Sequence, residues 1–297
     1  MLSHLLQSSH PIVGVMTQPP RPVGRGLQVS DPPAARLARQ HQIPVLQPEK
    51  IHSRETLDAL AAFHPDIIVT AAFGRILRSS LLQLPPRGCW NVHTSLLPRH
   101  RGAAPVPAAI LAGDAWTGVT IFELDAGMDT GPMVAQRMTP IEPRETAGEL
   151  TARLAHLGAE LLVASLDEEA RSPLRRIPQP AFGATHAPML QKEDGRIRWN
   201  RPAEHVDRWV RAVTPWPGAF TFANGRRLIV RAATALHEMP VETEPGTILD
   251  LREGIDIACL PGAVRLTLVQ QEGKRPQPAD AWARGARLGV GSVLGRE

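Results

Sequence analysis

Two polar stretches of this 297-residue chain contain side chains whose types and spacing could do chemistry. The first contains Asn91 and His93, which stand two residues apart at the end of an apolar run and would share one face of a strand. A carboxamide donor beside an imidazole suits the polarisation of a carbonyl and the movement of a proton. Each residue also has an ordinary interpretation, because asparagine often closes a turn and a lone histidine is usually only hydrogen-bonded.

The second stretch is the segment 124–132, which reads LDAGMDTGP and separates two strand-like runs. Aspartate and glycine are common turn residues, so the simpler interpretation is a hairpin turn. The functional interpretation places Asp129 against His93, where a carboxylate would raise the basicity of the imidazole and fix its tautomer. The spacing leaves both interpretations open.

Several other kinds of site are excluded by the sequence. There is no G-x-x-x-x-G-K-[ST] motif and no G-x-G-x-x-G after a strand, so a loop that binds nucleotide phosphates is not supported. The histidines form no H-E-x-x-H motif, and the two cysteines, Cys89 and Cys259, are far apart and outside any C-x-x-C pair. A disulfide framework and a cysteine-ligated zinc site are therefore excluded, and we expect no metal.

The order of apolar patterns predicts the elements that position these residues. Short apolar runs predict buried strands, whereas three- and four-residue spacing predicts helices. Ser53 is a candidate helix N-cap, and Thr146-x-x-Glu149 is a capping box that opens a long helix. The predicted order is strand 11–16, helix 33–42, helix 53–63, strand 67–72, strand 88–93, helix 103–112, strand 117–124 and helix 146–169. This alternation predicts a doubly wound α/β domain.

Beyond residue 170 the pattern changes. The segment 171–201 has seven basic and two acidic residues and little periodicity, which indicates a basic connector. Its positive charge could attract a polyanion, although on charge alone a solvated linker is the simpler interpretation. A short helix at 203–213 is then followed by short β-type segments separated by glycine and proline, a spacing that predicts a small β-barrel.

The sequence has neither a candidate membrane span nor a recognisable secretion signal. No apolar run approaches the roughly 20 residues of a membrane span. The first 16 residues lack the basic start and long apolar stretch of a secretion signal. We therefore expect a cytoplasmic protein without a membrane partner.

Longer motifs carry a resemblance to a known family. Asn91-x-His93 leads into Ser95-Leu96-Leu97-Pro98, and with the later Asp129 this pattern resembles the folate-dependent formyltransferases. The similarity extends almost end to end and is most specific to the members that act on initiator methionyl-tRNA. It is carried by TQPPRPVGRG (17–26), NVHTSLLPRHRGAAP (91–105), LAGDAWTGVTIFELDAGMDTGPM (111–133), WVRAVTPWPGAF (209–220) and QQEGKRPQPADAW (270–282).

The resemblance implies a reaction and its residues. A formyl group would pass from 10-formyltetrahydrofolate to the α-amino group of methionine on initiator tRNA. Asn91 and His93 would donate hydrogen bonds to the oxyanion, and Asp129 would hold the protonated imidazole and help to accept the proton of the amine. The residues implied in folate binding are Ser95, Leu96, Leu97 and Pro98 together with Phe73, Gly74, Ile76 and Leu77, and those implied in tRNA binding are Arg25, Arg196 and Arg198.

The resemblance also sets boundaries and departures. We expect a Rossmann-like formyltransferase domain at 1–183, a basic linker at 184–202 and an OB-like, tRNA-binding β-barrel at 203–297, in a monomer. The family's opening strand and its F-x-G-T-P-x-F-type loop are expected to be missing. His100 stands where PRWRG is usual, and the residues after Gly26 are not basic.

The sequence leaves two alternative functions open. A related formyltransferase acting on a sugar or purine precursor would share Asn91, His93 and Asp129, but not the PWPGAF motif or the barrel-like second domain. A non-catalytic RNA-binding remnant is favoured only if the first strand is absent.

Overall fold

The computed structural model describes residues 1–23, 28–236 and 242–296. The helices are α1 (Leu2–Leu5), α2 (Pro33–Gln40), α3 (Arg54–Ala61), α4 (Ser79–Leu82), α5 (Pro105–Ala112), α6 (Ala147–Arg171), α7 (Ala203–Ala212) and α8 (Ala279–Gly285). The strands are β1 (Val15–Met16), β2 (Arg21–Val23), β3 (Gln28–Ser30), β4 (Val45–Leu46), β5 (Ile68–Thr70), β6 (Cys89–His93), β7 (Arg101–Gly102), β8 (Trp116–Glu123), β9 (Met133–Pro140), β10 (His186–Ala187), β11 (Phe220–Ala223), β12 (Arg226–Leu236), β13 (Ile248–Asp250), β14 (Ile255–Ala258), β15 (Ala263–Gln271) and β16 (Gln277–Pro278).

Two compact units contain these elements. The first comprises Met1–Ala103, Trp116–Pro140 and Ala152–Ala187, and the second comprises Ala104–Ala115, Ile141–Thr151 and Pro188–Glu297. Within the described residues, no helix has both the length and the apolar character that a bilayer crossing requires.

The first unit is an α/β structure around a four-stranded sheet in the order β5–β6–β8–β9. β5 and β6 are parallel, whereas β8 and β9 run antiparallel to their neighbours, so the predicted α/β class is confirmed with a mixed sheet. Helix α6 packs on this sheet at Gly158, where a Cβ would lie 2.9 Å from Val92 and 3.2 Å from Val119. Strand β6 is therefore held on both edges and covered on one face.

Both predicted helix starts are confirmed. The Ser53 hydroxyl accepts a hydrogen bond from the backbone N–H of Thr56 at 3.3 Å. At the start of α6, the Glu149 carboxylate accepts from the N–H of Thr146 at 2.9 Å, and the Thr146 hydroxyl accepts from the N–H of Glu149 at 3.3 Å. These side chains satisfy backbone donors that have no partner inside the first turn of a helix.

The run predicted as a strand over 11–16 forms a shorter strand. Only Val15 and Met16 pair, in parallel with Val45 and Leu46 of β4. The partner strand is itself two residues long and follows Pro44, which has no N–H to donate to a ladder. The predicted strand is therefore correct in type and too long by four residues.

The second unit contains the predicted β-rich domain. Its six-stranded sheet runs β11–β12–β15–β14–β13, with β16 on β15, and its described pairings are antiparallel. The buried core beneath it includes Val206 and Val210 from α7, together with Ile248, Ile255 and Leu266 from the strands. The amphipathic helix predicted after residue 202 thus supplies one side of this core.

The separate linker predicted over 184–202 is wrong. Ile197 and Trp199 are each 5% exposed and belong to the core of the second unit, whereas Arg196 and Arg198 between them are exposed. This alternation is that of a strand with one buried face. Two apolar side chains in a charged segment were too few to reveal it in the sequence.

Two segments inside the predicted first domain belong to the second unit. They are Ala104–Ala115, which contains α5, and Ile141–Thr151. Helix α5 reads PVPAAILA and is apolar around most of its circumference, so it must be covered on several sides. It is covered by α7 of the second unit. The single boundary predicted near residue 183 therefore does not describe the chain.

Trp199→Ala tests whether the predicted linker is part of the second core. The indole is buried and its Nε1 donates to the Thr221 hydroxyl at 3.2 Å. We expect the substitution to lower the free energy of unfolding by about 3–5 kcal/mol, as measured by urea denaturation. Arg198→Ala, one residue away on the exposed face, should change it by less than about 0.5 kcal/mol. Equal effects of the two substitutions would contradict this assignment.

Candidate active site

Asn91 lies on β6, in register with Thr70 of β5 and Phe122 of β8. The Thr70 hydroxyl donates to Asn91 Oδ1 at 2.8 Å, and its longer contact of 3.2 Å is to the carbonyl of Trp90. With its oxygen engaged in this way, the amide directs Nδ2 away from Thr70 as a hydrogen-bond donor. Thr70 was not identified from the sequence, although a hydroxyl at the carboxyl end of an apolar strand was the available signal.

His93 ends the same strand and is 6% exposed. Its Nε2 lies 2.9 Å from the carbonyl oxygen of His100, which can only accept, so the proton of the neutral ring is on Nε2. Nδ1 is then a free acceptor, 3.7 Å from Asp129 Oδ2. The one N–H of the neutral ring is therefore already used, and the predicted donation from His93 to an oxyanion would have to come from Nδ1 of the protonated ring.

Burial is the main influence on the pKa of His93 and lowers it below the ordinary value. The Asp129 carboxylate and the hydrogen bond to the His100 carbonyl oppose that shift and raise the pKa, whereas the imidazole of His100 lowers it. The net shift in the pKa is downward, which favours the neutral ring. Nδ1 is thus an acceptor for a proton, with a carboxylate beside it to stabilise the imidazolium that would form.

Asp129 reaches His93 from the loop that connects β8 to β9. Its Oδ2 accepts a hydrogen bond from the N–H of Gly102 at 2.7 Å. The segment 124–132 is therefore a hairpin connection, and it also brings a carboxylate near the histidine. The tautomer of His93 is set by the His100 carbonyl and not by Asp129, and the functional role of Asp129 stays a prediction. Asp129 thus lies near His93, which is two residues along β6 from Asn91.

Local contacts give the hairpin loop its shape. Asp125 Oδ1 accepts from the N–H of Gly127 at 2.9 Å and from the Thr130 hydroxyl at 2.7 Å. Gly131 passes against the backbone so closely that any side chain there would overlap the carbonyl oxygen of Glu123. The two aspartates of this segment therefore have different roles. Asp125 stabilises the turn, and Asp129 points to the site.

Two residues of the segment predicted to be a connector contact the residues of this site. Gln179 donates from Nε2 to the carbonyl oxygens of Asp129 at 2.9 Å and Gly131 at 2.8 Å. The Thr185 hydroxyl accepts from the N–H of His100 at 2.8 Å. No periodicity marks this segment, so the sequence held no signal for either residue.

The loop that follows His93 is held by buried hydrogen bonds. Ser95 is fully buried and its hydroxyl donates to the carbonyl of Arg99 at 2.6 Å. Leu97 is also buried, and its N–H donates to the Thr120 hydroxyl at 3.0 Å. Of the four residues implied in folate binding here, Leu96 and Pro98 are partly exposed, whereas Ser95 and Leu97 shape the loop from behind.

The second implied folate wall follows β5. Ile76 is 73% exposed, Gly74 is exposed with a φ of 71°, and Phe73 is half-buried. Leu77 is 7% exposed and packs in the core of the first unit, so it supports this wall without facing a ligand. The Gln18 amide donates to the carbonyl of Phe73 at 3.1 Å and so fixes the start of the loop.

The structure describes two of the three arginines implied in tRNA binding. Arg25 lies outside the described residues. Arg196 and Arg198 are exposed on the second unit, and the Arg196 guanidinium lies 5.3 Å from the ring centre of Phe222. Arg176, from the same basic segment, is engaged with Glu169 at 2.7 Å and Glu123 at 3.0 Å. Part of the predicted positive charge is therefore neutralised inside the first unit.

No group of three or more histidine, cysteine, aspartate or glutamate side chains in the described ranges is arranged to hold a metal ion. The two cysteines are buried and free, and burial raises the pKa of each thiol to about 12. Neither is therefore a reactive thiolate at neutral pH.

Comparison with known proteins gives two family matches that together span most of the chain. Residues 1–166 match the formyl transferase model, and residues 189–287 match the model of the formyl transferase C-terminal domain. The methionyl-tRNA formyltransferase of Geotalea uraniireducens is 43% identical over 298 residues, covering 100% of this chain and 94% of that protein. That of Geobacter sulfurreducens is 44% identical over 297 residues, covering 99% and 92%.

Solved structures share the fold at lower identity. WlaRD, a sugar 3N-formyl transferase, has a TM-score of 0.67 and 15% identity, covering 92% of this chain and 93% of that one. HypX from Aquifex aeolicus, solved with tetrahydrofolic acid, has a TM-score of 0.63 and 21% identity, covering 93% and 48%. The family matches and the full-length relatives agree, and the chain belongs to the formyl transferase family.

Proposed function

We propose that this protein transfers a formyl group from 10-formyltetrahydrofolate to the α-amino group of methionyl-initiator tRNA, for translation initiation. The observation that carries the proposal is the convergence of an amide donor, a neutral imidazole and a carboxylate at the end of β6. It is supported by relatives named methionyl-tRNA formyltransferase that are 43–44% identical over nearly the whole chain. We expect a monomer that acts in the cytoplasm, where initiator tRNA is charged.

The reaction requires stabilisation of a developing oxyanion. The α-amino nitrogen attacks the formyl carbon, and the electron pair of the carbonyl bond moves onto oxygen. Asn91 Nδ2 is the donor for this oxygen, because Thr70 occupies the other end of the amide. One preorganised donor of this kind is typically worth about 3 kcal/mol in the transition state.

The same reaction requires the movement of a proton. As the new C–N bond forms, the nitrogen of the amine becomes positive and loses a proton to Nδ1 of His93. The imidazolium that results lies beside Asp129, at 3.7 Å in the unprotonated state. The proton then passes to the folate nitrogen as the old C–N bond breaks, so His93 is neutral again and no net charge is left in the site.

The residues beside the site fit a folate. Phe73, Gly74 and Ile76 offer accessible apolar surface and open backbone, which suits a flat ring with polar edges. Leu96 and Pro98 offer further accessible surface next to His93. We propose these five as the contact residues, with Ser95, Leu97 and Leu77 supporting them. HypX and WlaRD, which share the fold, were solved with folates.

The second unit provides surfaces for RNA. Arg196 and Arg198 are exposed side by side on one face, and Arg25 is a further predicted contact. A separate cleft of about 590 Å³ is lined by Arg226, Arg227, Asn224, Gln271 and Gln277, and none of its described lining residues is acidic. Arginine and amide side chains are typical donors to phosphate and sugar oxygens.

Formylation assays with three acceptors test the function. With 10-formyltetrahydrofolate as donor, we expect transfer to methionyl-initiator tRNA and none to an amino sugar nucleotide or to glycinamide ribonucleotide. Uncharged tRNA is the control for the amine. Transfer to either small acceptor, or binding of tRNA without transfer, would replace the proposal with one of the two alternatives.

Asn91→Ala removes the proposed oxyanion donor. We expect kcat to fall by about 100-fold to 1,000-fold with little change in KM for either substrate, because the hydrogen bond strengthens only in the transition state. The measurement is steady-state formylation at saturating folate. A variant that keeps more than a third of the wild-type kcat would remove Asn91 from this role.

The Arg196→Ala/Arg198→Ala double variant tests the RNA contact. Phosphate contacts release counterions, so the dependence of log affinity on log salt should become shallower by up to about two units. Folate affinity should not change. Arg252→Ala is the matched control, because Arg252 is exposed on the same unit and already paired with Asp250 at 2.8 Å. An unchanged slope in the double variant would make Arg196 and Arg198 ordinary surface residues.

A further inference from the structure

The side chain of Gln179 makes four hydrogen bonds in the first unit. Nε2 donates to the carbonyl oxygens of Asp129 and Gly131, at 2.9 and 2.8 Å. Oε1 accepts from Nε and Nη2 of Arg101, at 3.0 and 2.7 Å. Both hydrogens of the amide and its oxygen are therefore used, which also fixes the orientation of the amide.

These bonds form a closed ring around Asp129. The carbonyl of Asp129 is held by Gln179, and its carboxylate accepts from the N–H of Gly102. Gly102 follows Arg101 in the chain, and Arg101 holds the oxygen of Gln179. The carbonyl of Asp129 is thus linked through Gln179 to Arg101. Its carboxylate binds directly to the N–H of Gly102, the next residue of the same strand.

Asp129 requires such support because of its backbone conformation. Its φ is 53°, in the left-handed region that costs a non-glycine residue of order 1 kcal/mol or more. The residue persists there only if its surroundings hold it. The neighbouring loop bonds of Asp125 are made to Gly127 and Thr130, and do not involve the carbonyl of Asp129.

We propose that Gln179 is a positioning residue, which holds the Asp129 carboxylate beside Nδ1 of His93. The effect of Gln179 on the rate of catalysis rests on the proposed function. Its effect on the pKa of His93 does not. Gln179 touches neither the imidazole nor the reacting atoms, and acts through Asp129 alone. The segment that carries it therefore belongs to the catalytic apparatus and is not only a connection between units.

The pKa of His93 reports on this role of Gln179. The titratable groups that influence His93 are the Asp129 carboxylate, which raises its pKa, and the His100 imidazole, which lowers it. Loss of the Gln179 bonds frees Asp129 to leave its strained conformation and move towards water. The imidazole then loses its nearby negative charge, and its pKa falls further below the ordinary value.

The experiment is an NMR titration of the His93 imidazole in the full chain. Gln179→Met keeps the length and volume of the side chain but removes all four hydrogen bonds. We expect the pKa of His93 to fall in this variant towards the value found in Asp129→Asn, because the Gly102 N–H still binds the carboxylate. In the Gln179→Met/Asp129→Asn double variant it should fall no further than in Asp129→Asn alone, because Gln179 acts only through the charge of Asp129.

Gln136→Met is the matched control. Gln136 also donates two hydrogen bonds in the first unit, to the carbonyl of Leu97 and the hydroxyl of Thr120, both at 2.9 Å, but none to Asp129. The pKa of His93 should be unchanged in it. An equal fall in both glutamine variants, or an additive fall in the double variant, would show general loosening of the unit and overturn the proposal, as would an unchanged pKa in Gln179→Met.

Kinetics then connect the titration to the reaction. In Gln179→Met, kcat for formylation should fall between about 10-fold and 100-fold with KM unchanged, as for a displaced catalytic group. The acid limb of the kcat profile should move to lower pH with the pKa of His93. If the wild-type protein does not formylate methionyl-tRNA, the proposed function fails, but the titration still decides the role of Gln179.

Discussion

The hydrogen bond from Nε2 of His93 to the carbonyl oxygen of His100 determines what the active site can do. It uses the only proton of the neutral ring and leaves Nδ1 open towards Asp129. The neutral imidazole can therefore accept a proton at Nδ1, and the proposed reaction takes its oxyanion donor from another residue. In the proposed reaction Asn91 is that donor, because Thr70 engages its oxygen and leaves Nδ2 to donate. The backbone carbonyl of His100 and the side chain of Thr70 thus orient His93 and Asn91 for the two different roles that the proposal gives them.

The proposed roles of Asn91, His93 and Asp129 require that each side chain is held in a fixed position. Strand β6 is paired on both edges and covered by α6, so Asn91 and His93 are placed by the sheet itself. Asp129 is different, because it lies in a loop and in an unfavourable backbone conformation. The loop gains its precision from bonds to Gln179 and Gly102. A site built partly on a strand and partly on a loop requires the second kind of support.

Sequence patterns predicted the parts of this structure that have strong local signals. The helix starts at Ser53 and Thr146 were predictable because a side chain caps them, and Asn91 and His93 because a two-residue spacing on a strand fixes a common face. Gln179 was not predictable, since its partners are distant in the chain and its segment has no period. Trp199 was hidden for a related reason, because its buried face contains only two apolar residues.

Exposed and buried side chains alternate along Arg196, Ile197, Arg198 and Trp199, so two different physical constraints act on one short segment. The buried pair is constrained by the volume of the core, where any change is felt as lost stability. The exposed pair lies outside the packed core, and although the Arg196 guanidinium lies over the ring of Phe222, substitutions there should cost less stability than substitutions of the buried pair. In the proposed function, the affinity for RNA is therefore adjustable at these two positions, in either direction, while the buried residues between and beside them keep the core unchanged.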